Sequence, residues 1–325
     1  MLKIEIKDNN RVEAAFFEHF NPVKKDGNLM KRSLILMLKD EHEKAGTTLE
    51  KDLYRFLRIR LKNIITGKPE VLNEIIKYFN KMFPIDIFYK FDDEGKKVDS
   101  LIAERIKEIF NYKTFRSSEF CVNYLRELGF EPRVPCPYCN FDELSIVTRN
   151  GEDNNLALLD LDHFVPQSKY PFLALSMYNL VPSCHNCNYI FKRETLFLID
   201  THINPFDKSF DEYFQFSLQT PFIYGMDIND FLISCKTVNG FRDDSLRDLC
   251  IIERYNTAKE ELLKKLNLIY KMTKSKKEEL ESIFENDING DLMQLAEFPT
   301  SKSDIVKFKL GKIKRDIYLE SWTNN

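Results

Sequence analysis

The sequence predicts a mainly helical α+β protein, in which a small β-containing core with a four-cysteine zinc site lies between two helical regions. Apolar residues recur at three- and four-residue spacing from about residue 30 to residue 130, as expected for amphipathic helices. Two Cys-x-x-Cys pairs and two β-compatible stretches follow in the centre of the chain, and helical spacing returns near residue 245. These three observations predict the fold class and the order of its parts.

The composition is that of a folded protein rather than a disordered one, since 43% of the 325 residues are hydrophobic and 30% are charged. The first twenty residues mix charges with apolar positions, unlike a secretory signal, and no run of about eighteen apolar residues could cross a bilayer. We therefore expect a cytoplasmic protein with no membrane partner. The net charge of −3 gives no general attraction to nucleic acid, so any basic surface must be local.

Residues 1–130 are predicted to form a helical N-terminal domain. The helical segments are KRSLILMLKDEHEKAGTTLEKDLYRFLRIRLKNIITG, VLNEIIKYFNKMF and SLIAERIKEIF. They are separated by Gly67, Pro69 and the turn FDDEGKKVD, where glycine and proline interrupt the helical pattern.

Residues 131–205 form the second predicted domain, because the pattern changes there. The stretch EPRVPCPYCNFDELSIVTRNGEDNNLALLDLDHF contains three prolines, two cysteines and two β-compatible runs around the turn NGEDNN. It predicts a zinc knuckle followed by a β-hairpin, with Asp162 and His163 at the end of the second strand. After a loop, the stretch YNLVPSCHNCNYIFKRETLF is predicted to enter a short helix near the second cysteine pair.

Residues 206–325 form the third predicted region, which starts within the aromatic-rich, extended stretch INPFDKSFDEYFQFSL. The run SLRDLCIIERYNTAKEELLKKLNLIYKMTKSKKEELESIF is predicted to be helical, and its second half has the Glu and Lys spacing of a solvent-exposed helix. Between residues 302 and 316, six Lys or Arg residues accompany two Asp residues. An ordinary amphipathic segment and a contact to a phosphate backbone both remain open for this tail.

The cysteines give the firmest chemical signal. Two C-x-x-C pairs are formed by Cys136, Cys139, Cys184 and Cys187. Each pair can present two thiolates to one ion from a tight turn, and two pairs complete a tetrahedral zinc site with no open position. We therefore predict a structural Zn²⁺ site, with a redox dithiol or chance spacing as the alternative. His185 could replace one ligand, while Cys121, Cys235 and Cys250 lack partners at metal spacing and are expected to be small buried residues.

Polar residues suited to phosphodiester chemistry lie between the two cysteine pairs. Asp162 and His163 are adjacent on a strand, so a carboxylate for a hard cation and an imidazole for a water molecule could flank one phosphate. Asn188 directly follows Cys187 and offers a neutral oxygen of the kind that Mg²⁺ accepts. Taken singly, an Asp-His pair is more often an ordinary surface pair, and an Asn is more often a cap or turn residue.

The three blocks DLDHFVPQS, YNLVP and CHNCNYIFK resemble those of the HNH nucleases, whose ββα-metal fold carries a strand Asp-His, a loop Asn and a helix Asn or His. Paired C-x-x-C knuckles occur in the zinc-stapled branch of that family. DLDHFVPQS is also similar to the corresponding block in the HNH domain of the CRISPR RNA-guided DNA nuclease. The resemblance covers about residues 134 to 195, under a fifth of the chain.

The resemblance implies a metal-dependent endonuclease that cuts DNA and leaves 5′-phosphate and 3′-hydroxyl ends. His163 would be the general base that takes a proton from the attacking water. Asp162 and Asn188 would hold one catalytic Mg²⁺ or Mn²⁺ ion against a non-bridging oxygen and the leaving 3′ oxygen. Asn179 would keep the His163 loop in position.

Lys192 and Arg193 follow this site and are candidates for phosphate contacts, with plain solvated charges as the alternative. The layout of helical leader, Cys₄ core, INPF-type segment and helical tail resembles the HNH subunits of bacterial anti-phage systems, such as the Septu type paired with an ATPase. That resemblance implies a role in antiviral defence and a protein partner such as an ATPase subunit.

Two other hypotheses remain open. The same site could act on RNA rather than DNA, because the motif does not distinguish the two. Alternatively, the chain could be a zinc-stapled binding or scaffold subunit that no longer cuts, which its low basicity and large helical regions would favour. The intact set of Asp162, His163 and Asn188 argues against the scaffold hypothesis.

Overall fold

The computed structural model describes residues 2–131, 133–148, 155–238, 240, 243–271, 279, 282, 293, 297–299 and 301–322. Within them the chain is mainly helical, with small antiparallel sheets and a four-cysteine cluster, so the predicted fold class is confirmed. None of the described helices is long and apolar enough to cross a lipid bilayer.

The N-terminal region is a layer of packed helices. Its helices are α1 Asn9–Phe20, α2 Leu34–Lys44, α3 Thr48–Thr66, α4 Pro69–Met82, α5 Leu101–Ile109, α6 Tyr112–Arg116 and α7 Glu119–Glu127, and its hairpin is β1 Tyr89–Phe91 with β2 Lys97–Asp99. Pro69 starts α4 at a position where a missing N–H costs nothing. The predicted helical leader is therefore present, with the FDDEGKKVD turn inside the hairpin.

Helix α3 illustrates why this sequence forms these helices. Thr47 and Glu50 make a reciprocal capping box, which satisfies backbone N–H groups at the helix start. Leu53, Leu57 and Leu61 recur every four residues and are buried on one face of the helix. Helices α2 and α4 pack against α3, so that the burial of its apolar stripe stabilises the whole layer.

The central region contains two sheets and a short π-helix. Strands β3 Arg133–Pro135, β4 Glu143–Thr148 and β5 Asn155–Leu158 form one antiparallel sheet in that order. Strand β6 Asp160–His163 pairs antiparallel with β7 Leu180–Ser183, and the π-helix Asn186–Lys192 follows. The predicted knuckle, hairpin and short helix are all present, whereas most of the NGEDNN turn lies outside the described residues.

The structure corrects one detail of the predicted hairpin. Asp162 and His163 do not end its second strand, because the chain leaves the first sheet at Leu159 and begins a new strand, β6. The guanidinium of Arg116 donates to the carbonyl of Leu159 at 2.7 Å, and this bond replaces a strand partner at the break. The second sheet therefore carries the Asp-His pair directly opposite β7.

The C-terminal region returns to helices after one hairpin. Its elements are α8 Phe210–Tyr213, β8 Phe214–Leu218, β9 Ile233–Thr237, α9 Ser245–Asp248, α10 Ile251–Thr257, α11 Lys259–Tyr270 and α12 Gly311–Trp322. The aromatic-rich stretch predicted as extended thus contains one helical turn, α8, before β8. The predicted exposed Glu/Lys helix is the second half of that run, about residues 265–284, and most of it beyond residue 271 lies outside the described residues.

The basic tail is folded onto the rest of the chain. Its six cations pair with carboxylates as follows: Lys302 with Asp211, Lys307 with Asp304, Lys309 with Glu261, Lys312 with Asp211 and Asp316, Lys314 with Glu297, and Arg315 with Asp211. These pairs favour the amphipathic interpretation of the tail over the phosphate-contact interpretation. One hydrophobic cluster runs from Ile4 to Ile317, and the domain limits at 130/131 and 205/206 stay predictions.

Candidate metal centre and catalytic site

Four buried sulfur atoms come together where the two C-x-x-C pairs meet. The Sγ atoms of the tetra-cysteine cluster, Cys136, Cys139, Cys184 and Cys187, all lie within 4.8 Å of one another. The Sγ atoms of Cys139 and Cys184 are 3.9 Å apart, close to the ~3.8 Å that Zn–S bonds of about 2.3 Å impose on a tetrahedral ion. The cluster therefore fits a structural metal ion such as zinc.

Hydrogen-bond donors surround these sulfur atoms, as thiolates require. The backbone N–H of Cys184 donates to Cys136 Sγ at 3.3 Å, and that of Phe141 donates to Cys139 Sγ at 3.4 Å. The Arg254 guanidinium on α10 donates to Cys187 Sγ at 3.1 Å. Arg254 lies far away in the sequence, and no local pattern could have linked it to the cluster.

The remaining cysteines and His185 lie outside this cluster. Cys121 is buried as predicted, whereas Cys235 and Cys250 are only partly buried. His185 is 67% exposed, and its Nδ1 atom lies 3.2 Å from Asp160 Oδ2. The imidazole is thus directed to a carboxylate rather than to the thiolates, which agrees with a complete set of four sulfur ligands.

His163 on β6 is buried and held in one orientation. Its Nε2 atom lies 3.0 Å from the carbonyl oxygen of Ala174, which can only accept, so Nε2 carries the proton and Nδ1 keeps a lone pair. The ring of Tyr112 packs edge-on at 4.5 Å between centroids. Burial lowers the pKa of His163 to about 4, and the Ala174 carbonyl opposes that shift. The imidazole is therefore neutral at pH 7, and its Nδ1 atom is unprotonated.

Asn179 bridges the two ends of the loop that follows His163. Its Oδ1 atom accepts from the Val165 N–H at 2.7 Å, and its Nδ2 group donates to the carbonyls of Val165 and Leu173. Its backbone carbonyl accepts from Phe164 N–H at 2.8 Å. Asn179 is fully buried, so these bonds hold the loop without contact to solvent.

Asp162 is buried among partners that the sequence did not suggest. Its Oδ1 atom accepts from the Lys192 ammonium at 3.0 Å, and its Oδ2 atom accepts from the Tyr138 hydroxyl at 2.6 Å. Lys192 also donates to the carbonyl of His163 at 2.8 Å and is only 1% exposed. Lys192 is thus neither a solvated charge nor a surface contact, and Tyr138 brings the first cysteine pair into contact with the Asp-His strand.

Asn188 on the π-helix is directed to a different carboxylate. Its Nδ2 group donates to Asp160 Oδ2 at 3.1 Å, the same oxygen that His185 approaches. Asp160 was not predicted as a site residue, although its place two residues before Asp162 puts both carboxylates on one strand. Arg193 ends the π-helix in a left-handed conformation with φ 47°, and its exposed Nε group donates to the Ile190 carbonyl.

These side chains line one cavity of about 370 Å³, called the β6 cavity here. Its walls contain the predicted residues Asp162, His163, Asn188, Lys192 and Arg193, together with Asp160, Tyr112, Arg116 and Glu194. Asn179 is not among the residues that line it. A larger cavity, about 630 Å³, lies beside residues 2–5 and 302–306 and contains none of the predicted site residues. The chemistry-bearing groups therefore converge in the smaller, more polar cavity.

Fold and site together define a mainly helical α+β protein with a buried four-cysteine cluster that could hold a metal ion. The chain is similar to Protein ea31 of Escherichia phage lambda, with 22% identity over 151 residues that cover 44% of this chain and 47% of the phage protein. The match spans about half of the phage protein, whose name states no activity. No family model matches the chain, and no solved structure matches it.

Proposed function

We propose that the protein is a metal-dependent HNH endonuclease that hydrolyses phosphodiester bonds in DNA. The observation that carries this proposal is His163, a neutral imidazole whose Nε2 is tied to the Ala174 carbonyl while its ring lines the β6 cavity. A histidine fixed in that tautomer is suited to take a proton from water at Nδ1. The neighbouring Asn188 and the Asp160 carboxylate offer oxygen atoms for a hard cation.

The residues around His163 would each do one task in this reaction. His163 would accept the proton of the attacking water at Nδ1, and Asn179 would keep its loop from moving. Arg193, on the exposed rim of the β6 cavity, would contact a phosphate group. A bound Mg²⁺ or Mn²⁺ ion would supply positive charge for the phosphate and the leaving 3′ oxygen. The products would carry 5′-phosphate and 3′-hydroxyl ends.

The ion ligands implied by the resemblance fit the structure only in part. Asn188 is available at the β6 cavity, but its amide bonds to Asp160 rather than to Asp162. Both oxygens of Asp162 accept hydrogen bonds, one of them from the buried Lys192 cation. Lys192 is likewise better suited to neutralising Asp162 than to contacting a phosphate. No step is therefore assigned to an ion held by Asp162.

The proposal includes a protein partner and a place of action. The overall charge of −3 gives the chain no general attraction to DNA, and the cations of the tail are ion-paired. A partner such as an ATPase subunit would then supply targeting or activation, as in a cytoplasmic anti-phage effector. The Zn²⁺ ion in the tetra-cysteine cluster would be structural, because four thiolates leave no open position for chemistry.

Cleavage of supercoiled plasmid by the zinc-loaded full chain tests this proposal, with Mg²⁺ or Mn²⁺ and with an EDTA control. We expect cutting that needs the added ion and disappears in His163→Ala. His202→Ala is the matched control, since His202 is also buried and in contact with an aromatic ring but lies outside the β6 cavity. Zinc content is measured after EDTA treatment, so that loss of the structural ion is not mistaken for loss of the catalytic one.

Other outcomes of the same experiment decide between the alternatives. Cutting that survives His163→Ala would contradict the proposal. A His163-dependent cut of labelled RNA, with DNA intact in the same buffer, would make RNA the substrate. A protein that binds its partner tightly but cuts neither nucleic acid, even with that partner and Mn²⁺ present, would be a scaffold subunit.

A further inference from the structure

We propose that a divalent ion is held by Asp160 and Asn188, which line the β6 cavity, and by His185, which contacts Asp160 from outside the cavity lining, while Asp162 is a positioning carboxylate neutralised by Lys192. The catalytic role of this ion rests on the proposed function, whereas the ion site itself follows from side-chain contacts alone. It assigns a metal-binding role to Asp160 and His185, neither of which the sequence predicted as a ligand of a catalytic ion.

Asp162 is a poor ligand for a divalent cation in this environment. The Lys192 ammonium lies 3.0 Å from its Oδ1 atom, and both side chains are buried, at 1% and 3% exposure. A second cation at this carboxylate would be repelled by Lys192 in a medium that screens charge weakly. Removing Lys192 from its place would also break its bond to the His163 carbonyl. The pair is therefore complete without a metal ion.

Asp160, in contrast, has no Lys or Arg partner among its contacts in the described part of the chain. Its Oδ2 atom is approached by His185 Nδ1 at 3.2 Å and by the Asn188 amide at 3.1 Å. The Asp160 side chain is 33% exposed, and it lines the β6 cavity together with Asn188. A carboxylate on β6, an amide on the π-helix and an imidazole directly before that helix thus lie together, all of them neutral or negative when the imidazole is unprotonated.

The two elements that carry these side chains are held rigidly. Asp160 begins β6, where it pairs with Ser183 on β7, and His185 and Asn188 lie beside two ligands of the tetra-cysteine cluster. The structural ion would therefore also fix the distance between the imidazole and the amide. This arrangement gives the second cysteine pair a direct role in presenting ligands to a second ion.

The chemistry of this donor set predicts which ion binds best. Mg²⁺ prefers oxygen ligands only, whereas imidazole nitrogen suits ions such as Mn²⁺ and Co²⁺ better. With one imidazole among its ligands, the site should bind Mn²⁺ more tightly than Mg²⁺. Asp162 would act indirectly, by positioning His163. Lys192 donates hydrogen bonds to both the Asp162 carboxylate and the backbone carbonyl of His163, the proposed general base.

Titration of the zinc-loaded full chain with Mn²⁺, followed by the electron paramagnetic resonance of free Mn²⁺, tests the assignment. We expect Asp160→Asn to weaken Mn²⁺ binding at least about tenfold, the loss typical when even an outer partner of a metal ligand is removed. His185→Ala should weaken Mn²⁺ binding and reduce the preference for Mn²⁺ over Mg²⁺. Asp162→Asn should keep the Mn²⁺ affinity within about twofold of the parent.

Asp248→Asn is the matched control, because Asp248 forms the same kind of His–Asp pair, with His202 at 3.1 Å, outside the β6 cavity. It should bind Mn²⁺ like the parent. Zinc content and far-ultraviolet circular dichroism confirm that each variant is folded. If Asp162→Asn does not fold, Asp160→Asn and His185→Ala still decide, since both residues are partly or largely exposed.

The assignment is overturned if Asp160→Asn binds Mn²⁺ as the parent does, or if folded Asp162→Asn loses as much affinity. Plasmid cleavage is measured on the same samples, so that the test of the ion site and the test of the proposed nuclease activity can be read independently. If Mn²⁺ binding depends on Asp160 but no cleavage is seen, the ion site is supported and the proposed nuclease activity is contradicted. If cleavage requires His163 but is unchanged in Asp160→Asn, the nuclease activity is supported and the assignment of its ion to Asp160 is contradicted.

Discussion

The N-terminal helices and the cysteine-framed central region reach a buried interior by different means. In α1 to α7 the interior is apolar, with residues such as Phe16, Leu57 and Phe110 almost wholly removed from solvent. In the central region, buried polar and sulfur-containing groups lie among the apolar ones. They include the tetra-cysteine cluster, the Asp162–Lys192 pair and Asn179.

The difference teaches where each region obtains its stability. The helical region can rely on apolar area, which stabilises in proportion to the surface removed from water. The central strands have only three to six residues each, and such short elements bury little area on their own. Specific polar pairs, and a metal ion bound by the tetra-cysteine cluster, would add the stability that apolar area does not supply, so that loss of any one member should be strongly destabilising.

The largest expected effect comes from the metal cluster. Cys184→Ser should release zinc and unfold residues 133–206 while α1 to α5 stay folded, because structural zinc supplies on the order of 10 kcal/mol to small domains. Zinc analysis together with hydrogen exchange resolved by segment measures both effects. Cys235→Ser is the control, since Cys235 lies outside the cluster. Full zinc content and parent-like hydrogen exchange in Cys184→Ser would show that the central region does not depend on the four-cysteine metal site for its stability.

The second effect concerns the buried ion pair of the central region. Lys192→Met leaves Asp162 without its cation and should cost roughly 3–5 kcal/mol of unfolding free energy, measured by urea denaturation. The double variant Lys192→Met/Asp162→Asn removes both charges and should be less destabilised than Lys192→Met alone. A double variant that is as unstable as the sum of the two single variants would show that the pair is not coupled.

The third effect tests the apolar side of the comparison. Leu57→Ala on α3 removes a fully buried side chain and should cost about 3 kcal/mol through the lost burial and the cavity. Ile59→Ala on the same helix is the matched control, because Ile59 is 68% exposed and should cost under ~0.5 kcal/mol. Both variants should keep their zinc. Zinc loss in Leu57→Ala would mean that the two regions unfold as one unit.

The smallest effect is a pH dependence outside the central region. Burial, reinforced by the charge of Lys265, lowers the pKa of Lys314 to about 8 from 10.5. The unfolded chain therefore binds the Lys314 proton more tightly than the folded chain does. Above pH 10.5 Lys314 is neutral in both states and does not reduce the free energy of unfolding. As the pH falls from 10.5 to 8, protonation of the unfolded state lowers that free energy. The gain in stability on Lys314→Met should thus be about 2 kcal/mol larger at pH 7.5 than at pH 10.

Urea denaturation at the two pH values measures this difference. Lys302→Met is the control, because the Lys302 side chain is 73% exposed and should show no comparable pH effect. An equal gain on Lys314→Met at both pH values would mean that Glu297, its partner at 3.4 Å, compensates its burial fully.

Local patterns in the sequence were sufficient for most of the helices and for the cysteine cluster. The four-residue spacing of Leu53, Leu57 and Leu61 predicts one buried helix face, because side-chain direction repeats with the helical turn. Likewise, a C-x-x-C pair constrains two sulfur atoms within one turn, so that two pairs predict one metal site. Asn179 was also predicted in its positioning role, and its bonds to Val165 are consistent with that role.

Contacts between distant segments decided the rest. The resemblance directed Asn188 and Asp162 to one ion, but the pairing of β6 with β7 and the placement of the π-helix bring Asn188 to Asp160 instead. Lys192, predicted as a candidate phosphate contact with a solvated charge as the alternative, is instead the buried partner of Asp162. Cations of the basic tail form ion pairs with carboxylates such as Asp211 and Asp316.

The sequence by itself therefore determined the helical and α+β character, the cysteine cluster and the presence of an Asp-His strand near an Asn. Only the tertiary structure decided which carboxylate meets Asn188, which cation is buried and what covers the tail. The physical reason is range: helical spacing and metal knuckles act within a few residues, whereas ion pairs and hydrogen bonds across 28 to 30 residues depend on how whole elements pack.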